Sequence, residues 1–403
     1  VASREFGLRD LGLKVYGPSL LYAVGLGAIM PVIALSARDV GASVAGAALV
    51  VTLVGVGSLI MNVPAALLTA RFGERPSMIA AAGAAALGMG AAIAARDAVV
   101  LSVGILVVGM AGSVFNLARQ SYLAEAVPGH FRARAMSTLG GTLRIGAFVG
   151  PFIAAGAMAP LGLAGAYWVG LGAMVAAAVV GFWVPELPRP GAAARSDRTT
   201  SAPGGGAPAS GTSMGAIVAA YWRTYLTVGS GVFLLACVRA TRNVVLPLWS
   251  EHVGLDPALA ALVYGVSGAV DVLVFYPAGK VMDRFGRVYS AVPCLLLLGV
   301  SMALIPLVSD VWGLLWVGAL MGFGNGLGTG IVMTLGADYA PAHARPQFLG
   351  FWRVLTDSGM MVGPVIVSGV TTVASLATGV MVIAVVALVG TGVFAYYLPR
   401  TRP

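Results

Sequence analysis

Charge is scarce in this chain. Of 403 residues only 10% are Asp, Glu, Lys or Arg, while 59% are hydrophobic. Soluble domains carry about 25% charged residues. A chain this apolar would leave too much apolar surface in water to stay dispersed, which excludes a soluble fold. Histidine and cysteine are also rare. His130, His252 and His343 fall between apolar runs without ligand spacing, and Cys237 and Cys294 fall inside such runs. No zinc site, disulfide frame or convergent nucleophile set follows from them, so no metal, no cofactor and no integral-membrane enzyme are expected. Acids are the scarcer sign, 15 against 24 basic residues, for a net charge of +9. In a soluble protein that excess would suggest nucleic acid. In an apolar one, basic residues collect in cytoplasmic loops beside anionic lipid, so no nucleic-acid partner is expected.

Long apolar runs are what the chain has in abundance. Windows of about 20 apolar residues mark spanning helices. Twelve are read, α1 to α12: 15–36, 43–69, 77–95, 98–122, 135–159, 162–184, 224–248, 257–279, 288–308, 311–336, 348–369 and 373–398. Residues 185–222 break the pattern, with Pro185, Pro188, Pro190, Pro203 and Pro208 among Gly, Ser, Thr and Ala. That composition cannot build a core and reads as a flexible linker. The expectation is an all-α membrane protein: a six-helix bundle over residues 1–184, a linker over 185–222, and a second six-helix bundle over 223–403. The charged first 14 residues lead into an apolar run without the pattern of a cleavable signal. Most Lys and Arg fall in loops on one side, among them Arg71, Arg75, Arg132, Arg134, Lys280, Arg284, Arg287 and Arg345, against Arg38 and Arg96 on the other. The first side, with both termini and the linker, is expected to face the cytoplasm.

The two bundles are copies. Arg71-Phe72-Gly73-Glu74-Arg75 echoes Arg284-Phe285-Gly286-Arg287 at a spacing of 213 residues. At the same spacing Glu125-x-x-Pro128-x-His130-x-Arg132 returns as Asp338-x-x-Pro341-x-His343-x-Arg345, and Gly146-x-x-x-Gly150-Pro151 as Gly359-x-x-x-Gly363-Pro364. Pro64 matches Pro277 and Gly109 matches Gly322. One offset across separated motifs, too long for a solenoid period, means duplicated half-proteins.

Gly279-Lys280-Val281-Met282-Asp283-Arg284-Phe285-Gly286-Arg287 resembles the G-x-x-x-D-R-x-G-R loop of the major facilitator superfamily, between the second and third helices of a half. Gly146, Gly150 and Pro151 in α5 resemble that family's antiporter motif, found in drug–proton exporters. The resemblance covers the whole chain. It implies two bundles about an axis along the membrane normal, substrate between them near the midplane, and rocking that exposes the site alternately. There are departures. Ala70 and Ala66 stand at the Asp and Gly positions of the first-half loop, and Ile105 stands where exporters often carry an arginine in α4.

Intramembrane charge marks the candidate sites. Asp271 lies twelve residues before Asp283, about 18 Å of helix, and Arg144 ten residues beyond Arg134, about 15 Å. The depths match, and the resemblance brings α5 against α8. An Arg144–Asp271 contact is expected, either broken during transport or static. Asp357 stands at the repeat equivalent of Arg144, with Arg353 four residues earlier on the same face; a local pair is the alternative to a proton site. Arg144, Asp271 and Asp357 are the proton-coupling candidates. Arg239, Arg242 and Asn243 share one face of α7 and are expected to line a cavity, together with Asn116, Asn325 and Tyr22. Met30, Phe115, Trp249, Phe275, Tyr276 and Trp352 form either an aromatic pocket with Tyr22 or ordinary packing. Asp283, Arg284, Arg287, Arg71, Arg75, Arg134, Glu125 and Asp338 are expected to form a cytoplasmic gate, with Arg119 near Glu125. Gly322, Gly324, Gly326, Gly328 and Gly330 thin α10 for close helix packing.

The leading expectation is a monomeric secondary transporter in a bacterial cytoplasmic (inner) membrane, exporting small amphipathic or drug-like molecules in exchange for protons. A carrier of organic anions or lipid-like substrates is the second reading, and a transporter-like sensor a third.

Overall fold

The computed structural model describes residues 16–127, 129–184, 214–341 and 345–401. The described residues form helices without strands. All twelve expected spans are present. α1 is a bent pair, Gly17–Ile29 and Ile33–Asp39, turning by 42°. Then come α2 (Val44–Phe72), α3 (Glu74–Ala94), α4 (Ala98–Ala126), α5 (Gly129–Leu161) and α6 (Ala164–Gly181). The second six are α7 (Trp222–His252), α8 (Pro257–Phe285), α9 (Val288–Leu304), α10 (Val311–Leu327 and Ile331–Tyr339), α11 (Arg345–Val373) and α12 (Leu376–Tyr397). A short helix, Met214–Ala220, lies within the segment expected to be linker. Its sequence lacks the upstream Pro and Ser, and Ile217 packs into the core of the second half.

The spacing of 213 residues governs local structure as well as sequence. Ser43 and Asp256, and Asp97 and Asp310, cap the N-termini of α2, α8, α4 and α10 by accepting backbone N–H groups. Gly73 and Gly286 end α2 and α8 with φ of 91° and 104°, a backbone that favours glycine. The arginines Arg71, Arg75, Arg284 and Arg287 cluster around those two glycines, and we call this the arginine-rich end. The opposite end carries Arg38 and Glu251.

Packing repeats too. α4 lies on α2 and α10 on α8. A Cβ at Gly109 would strike the Val54 carbonyl, and one at Gly322 the Ser267 carbonyl. Val54 and Ser267 are themselves repeat equivalents. α5 lies on α1 and α11 on α7. A Cβ at Gly150 would fall 2.5 Å from the Val24 carbonyl oxygen, and one at Gly363 would strike the Cys237 carbonyl, again an equivalent pair. Each half has its own buried core, and Met30 of α1 packs against both. The halves meet along α5–α8 and α2–α11. These two interfaces are images of one another and frame the cavity.

Candidate functional site

The halves are joined at the Glu251 end. Arg38 Nε donates to Glu251 Oε1 at 3.1 Å, and Ser368 Oγ to the Ala45 carbonyl at 2.8 Å. Arg38 and Glu251 are themselves 213 residues apart, so equivalent ends of α1 and α7 meet each other. Val244, Leu248 and Ala261 of the second half are buried in the core of the first. At the arginine-rich end the bonds found are local to a half. Arg75 Nη2 donates to the Phe182 carbonyl at 2.5 Å, and Arg287 Nε to Asp338 Oδ2 at 2.9 Å. Arg71 and Arg284 are exposed beside Phe72 and Phe285. The side chains of Glu125, Arg134 and Asp283 lie outside the described residues, and with them the expected Asp283 pairings.

Between these ends lies a chamber of about 380 Å³ lined by Arg144, Arg239, Arg242, Asn243, Asn325 and Thr329. The expected contact of α5 with α8 is there: Arg144 Nη1 lies 3.8 Å from Asp271 Oδ1. That is an ion pair longer than a hydrogen bond. Asp271 Oδ1 has no hydrogen-bond donor among the described residues, while Asn325 Nδ2 donates to Asp271 Oδ2 at 2.8 Å. Arg144 also donates to Thr329 Oγ1 at 3.2 Å and lies over the Phe275 ring at 5.0 Å. Arg239 Nη2 donates to the Asn325 carbonyl at 3.2 Å, and Arg242 lies over the Tyr264 ring at 5.5 Å. Arg239 Nε and Arg242 Nη1 are buried without a hydrogen-bond partner among the described residues.

A break in α10 lines this chamber. The helix stops at Leu327 and restarts at Ile331, with Gly330 in the left-handed region at φ 79°. Gly322, Gly324, Gly326 and Gly328 serve close packing as expected, a Cβ at Gly328 meeting Cys294 and Arg239, whereas Gly330 stands in open space at the break. Beyond it, Met333 is 83% exposed. The equivalent stretch of α4 is continuous helix. Broken helices free backbone and side-chain polar groups for a cavity, and here they supply the Asn325 carbonyl and Thr329.

Asp357 lies on the other side. Its chamber, about 270 Å³, is lined by Asn62, Ser113, Asn116, Gln120 and Arg353. Arg353 Nε lies 3.7 Å from Asp357 Oδ2, the expected local pair, and Asn62 Nδ2 lies 3.5 Å from the same oxygen. Ser113 Oγ donates to Asn62 Oδ1 at 2.7 Å. Thus Arg144 on Phe275 and Asp357 on Asn62 are the same contact made twice with different chemistry, since Phe275 and Asn62 are repeat equivalents. A smaller apolar pocket, with Met30, Val51, Val54 and Leu59, adjoins both chambers and shares lining residues with each.

Several expectations need correction. Tyr22 does not reach the cavity: it is 1% exposed, stacked on Phe115 at 4.0 Å inside the first half. Arg119 is not an interfacial charge but is 1% exposed, donating to Asn116 Oδ1 at 2.6 Å and lying over Phe115 at 5.8 Å. Trp249 and Trp352 are buried and donate to the Val308 and Val332 carbonyls, and Tyr276 is exposed. Of the proposed aromatic set only Met30 and Phe275 touch the cavity groups. Gly146 and Gly150 press α5 onto α1 as Gly359 and Gly363 press α11 onto α7, so this geometry is common to both halves. Sequence reading missed Thr329, Asn62 and Ser113, whose residue types carry no charge signal. It also missed the Arg38–Glu251 bridge, which the repeat spacing could have found.

The chain matches the family described as the Major Facilitator Superfamily over residues 19–229 and again over 228–403. No curated protein sequence matches it. Among solved structures, the nucleoside transporter NupG is similar with a TM-score of 0.73 at 11% identity, over 96% of this chain and 99% of that one. A bacterial homolog of the human lysosomal transporter Spinster, inward-facing and unoccupied, is similar at 0.75 and 13%, over 98% and 97%. A POT family transporter in complex with 5-aminolevulinic acid is similar at 0.73 and 12%, over 97% and 96%. At these identities the neighbours speak for the fold. With two matched six-helix halves around a cavity, and the family model covering both, the chain belongs to the major facilitator superfamily and is a secondary membrane transporter rather than an enzyme.

Proposed function

We propose that this transporter carries small organic anions by alternating access, with Asp271 as the site of proton coupling. One observation carries the reading: three arginines, Arg144, Arg239 and Arg242, line one chamber, and among the described residues one carboxylate, Asp271, pairs with them, through Arg144. Guanidinium N–H groups held within the membrane without acceptors are costly, and an anionic group of the substrate would satisfy them. Asp271 is held loosely by Arg144. A substrate anion that takes Arg144 removes the ion-pair partner of Asp271. Substrate and proton would thereby be linked through one arginine.

Sidedness follows from the positive-inside rule, which puts the arginine-rich end, both termini and the linker at 185–222 in the cytoplasm. The conformer would then be closed outside and open inside. Latching of Asp283, Arg284, Arg287, Arg71, Arg75, Arg134, Glu125 and Asp338 belongs to the opposite conformer. The protein works as a monomer in a bacterial cytoplasmic membrane, with one bundle on each side of the linker. The ligands named for the neighbours, a nucleoside and 5-aminolevulinic acid, are small polar solutes, which agrees with this reading. Proton-coupled export of amphipathic drug-like molecules is the second reading, favoured by the apolar pocket of Met30, Val51, Val54 and Leu59.

Proteoliposomes holding the purified protein separate the two. Organic anions should move in response to an imposed pH gradient, and Asp271→Asn should abolish that response while leaving protein in the membrane. Full pH-driven flux in Asp271→Asn overturns the coupling role. Flux of lipophilic cations alone overturns the anion reading.

A further inference from the structure

The cavity has two electrical poles. Ala240, Asn243 and Met360 line both the arginine chamber and the apolar pocket. Leu59 and Asp357 line both that pocket and the asparagine chamber. The three therefore adjoin in one row. Arg239 and Arg242 lie toward one end of it and Asp357 toward the other.

Asp357 is under-coordinated for a carboxylate at this depth. An ionised carboxylate offers about four lone-pair sites. Its two contacts are long, Asn62 Nδ2 at 3.5 Å and Arg353 Nε at 3.7 Å, and both fall on Oδ2. Arg353 is not confined to it: that side chain is 61% exposed. Asn62 is oriented for the task. Ser113 Oγ donates to its Oδ1 at 2.7 Å, which turns its Nδ2 toward Asp357. Asp357 and Arg144 stand at equivalent positions of the repeat and make equivalent contacts, yet carry opposite charge. A symmetric scaffold thus presents a cation and an anion to one cavity. A ligand with a single charge leaves one of these unmatched, and unmatched buried polar groups are what give a site its discrimination.

We infer that the substrate is a zwitterion, with its acid group on Arg239 and Arg242 and an amine of the same molecule on Asp357. The middle of the molecule crosses the apolar pocket beside Met30 and Leu59. The amine replaces or joins Arg353 at the free lone pairs of Asp357. This inference rests on the cavity being the anion site proposed above.

Three series of ligands test it on the full-length protein in detergent, by calorimetry: straight-chain ω-amino acids of increasing length, the same carboxylates without the amine, and the same amines without the carboxylate. The expected result is no binding of the amines and weak binding of the carboxylates. The ω-amino acid of best length should bind at least about tenfold tighter than its carboxylate, about 1.4 kcal/mol. In Asp357→Asn that ratio should fall to about one, and Asp357→Glu should keep part of it. Equal affinity for carboxylate and zwitterion at every length in the unmodified protein overturns the inference and leaves the anion site standing, with Asp357 held by Arg353. A ratio that survives Asp357→Asn overturns it as well. If neither carboxylates nor zwitterions bind, the anion reading itself fails and the inference with it. The ligand series in the unmodified protein decides the matter even if the Asp357 variants do not fold.

Discussion

Reversing the charge of either partner in the Arg38–Glu251 bridge should open the end it closes, and exchanging the two should close it again. The Nε–Oε1 distance is 3.1 Å, with the side chains 33% and 37% exposed. Arg38 Nη1 also donates to the Ala42 carbonyl at 2.7 Å, which holds the guanidinium in place before Glu251 arrives. Half-exposed pairs contribute about 1 kcal/mol at most. Loss of the pair should shift the ratio of conformers roughly fivefold, and Glu251→Arg, which adds repulsion, roughly thirtyfold, or about 2 kcal/mol. Exchange is informative because the residues are repeat equivalents at corresponding ends of α1 and α7. Arg38→Glu with Glu251→Arg should therefore restore most of the closed population. Spin labels on cysteines at Arg96 and Ser309, equivalent exposed loop positions at the same end, report the opening by pulsed electron resonance; the native Cys237 and Cys294 are buried. If neither single reversal lengthens the distance, or the double variant is as open as the more open single, the bridge does not hold this end.

Three further outcomes follow from the packing and the cavity. Gly150→Ala and Gly363→Ala each press a Cβ into a carbonyl of the neighbouring helix and should each lower stability by about 1–3 kcal/mol, whereas Gly156→Ala, which faces open space, should change little; thermal unfolding in detergent measures all three. Gly330→Ala forces a left-handed alanine into the break of α10 and should cost about 1–2 kcal/mol, seen in the same assay. Arg242→Gln removes a charge-assisted partner from the arginine chamber and should weaken carboxylate binding by about 1.5–3 kcal/mol in calorimetry, with unchanged affinity counting against the anion site.

Twelve spans and two halves were legible in advance because each rests on a strong one-dimensional signal; the Arg144–Asp271 contact needed, besides matched depths, the family resemblance that sets α5 against α8. A 20-residue apolar run has one solution in a bilayer, an ionised residue within it must find a partner, and helix rise converts residue number to depth. Tyr22 was misplaced because a polar aromatic residue in a span has no such constraint: its ring can stack on Phe115 inside a half as easily as it can face the cavity. The break in α10 was hidden for a related reason. Five alternating glycines read equally as a thin helix or a broken one: four of them, Gly322, Gly324, Gly326 and Gly328, pack closely, and Gly330 alone of the five stands in open space with a left-handed backbone. Thr329 and Asn62 became visible only when the helices carrying them were set beside Arg144 and Asp357.

Symmetry and function divide the chain between them. Where the halves must pack, the repeat is kept to the atom: Gly109 on Val54 and Gly322 on Ser267, Gly150 on Val24 and Gly363 on Cys237. Where they face the cavity it is broken: Arg144 against Asp357, Phe275 against Asn62, a split α10 against a continuous α4. Rocking two rigid bundles requires the first property, since both states reuse the same intra-half contacts and only the inter-half ones exchange. Recognising an asymmetric solute requires the second, because a cavity with twofold chemistry would hold a ligand equally well in two orientations. Arg38 and Glu251 show the two demands meeting in one pair. Equivalent positions can form an ion pair across a pseudo-twofold axis only if their charges are opposite, so this bridge, like the cavity beneath it, depends on the repeat having diverged.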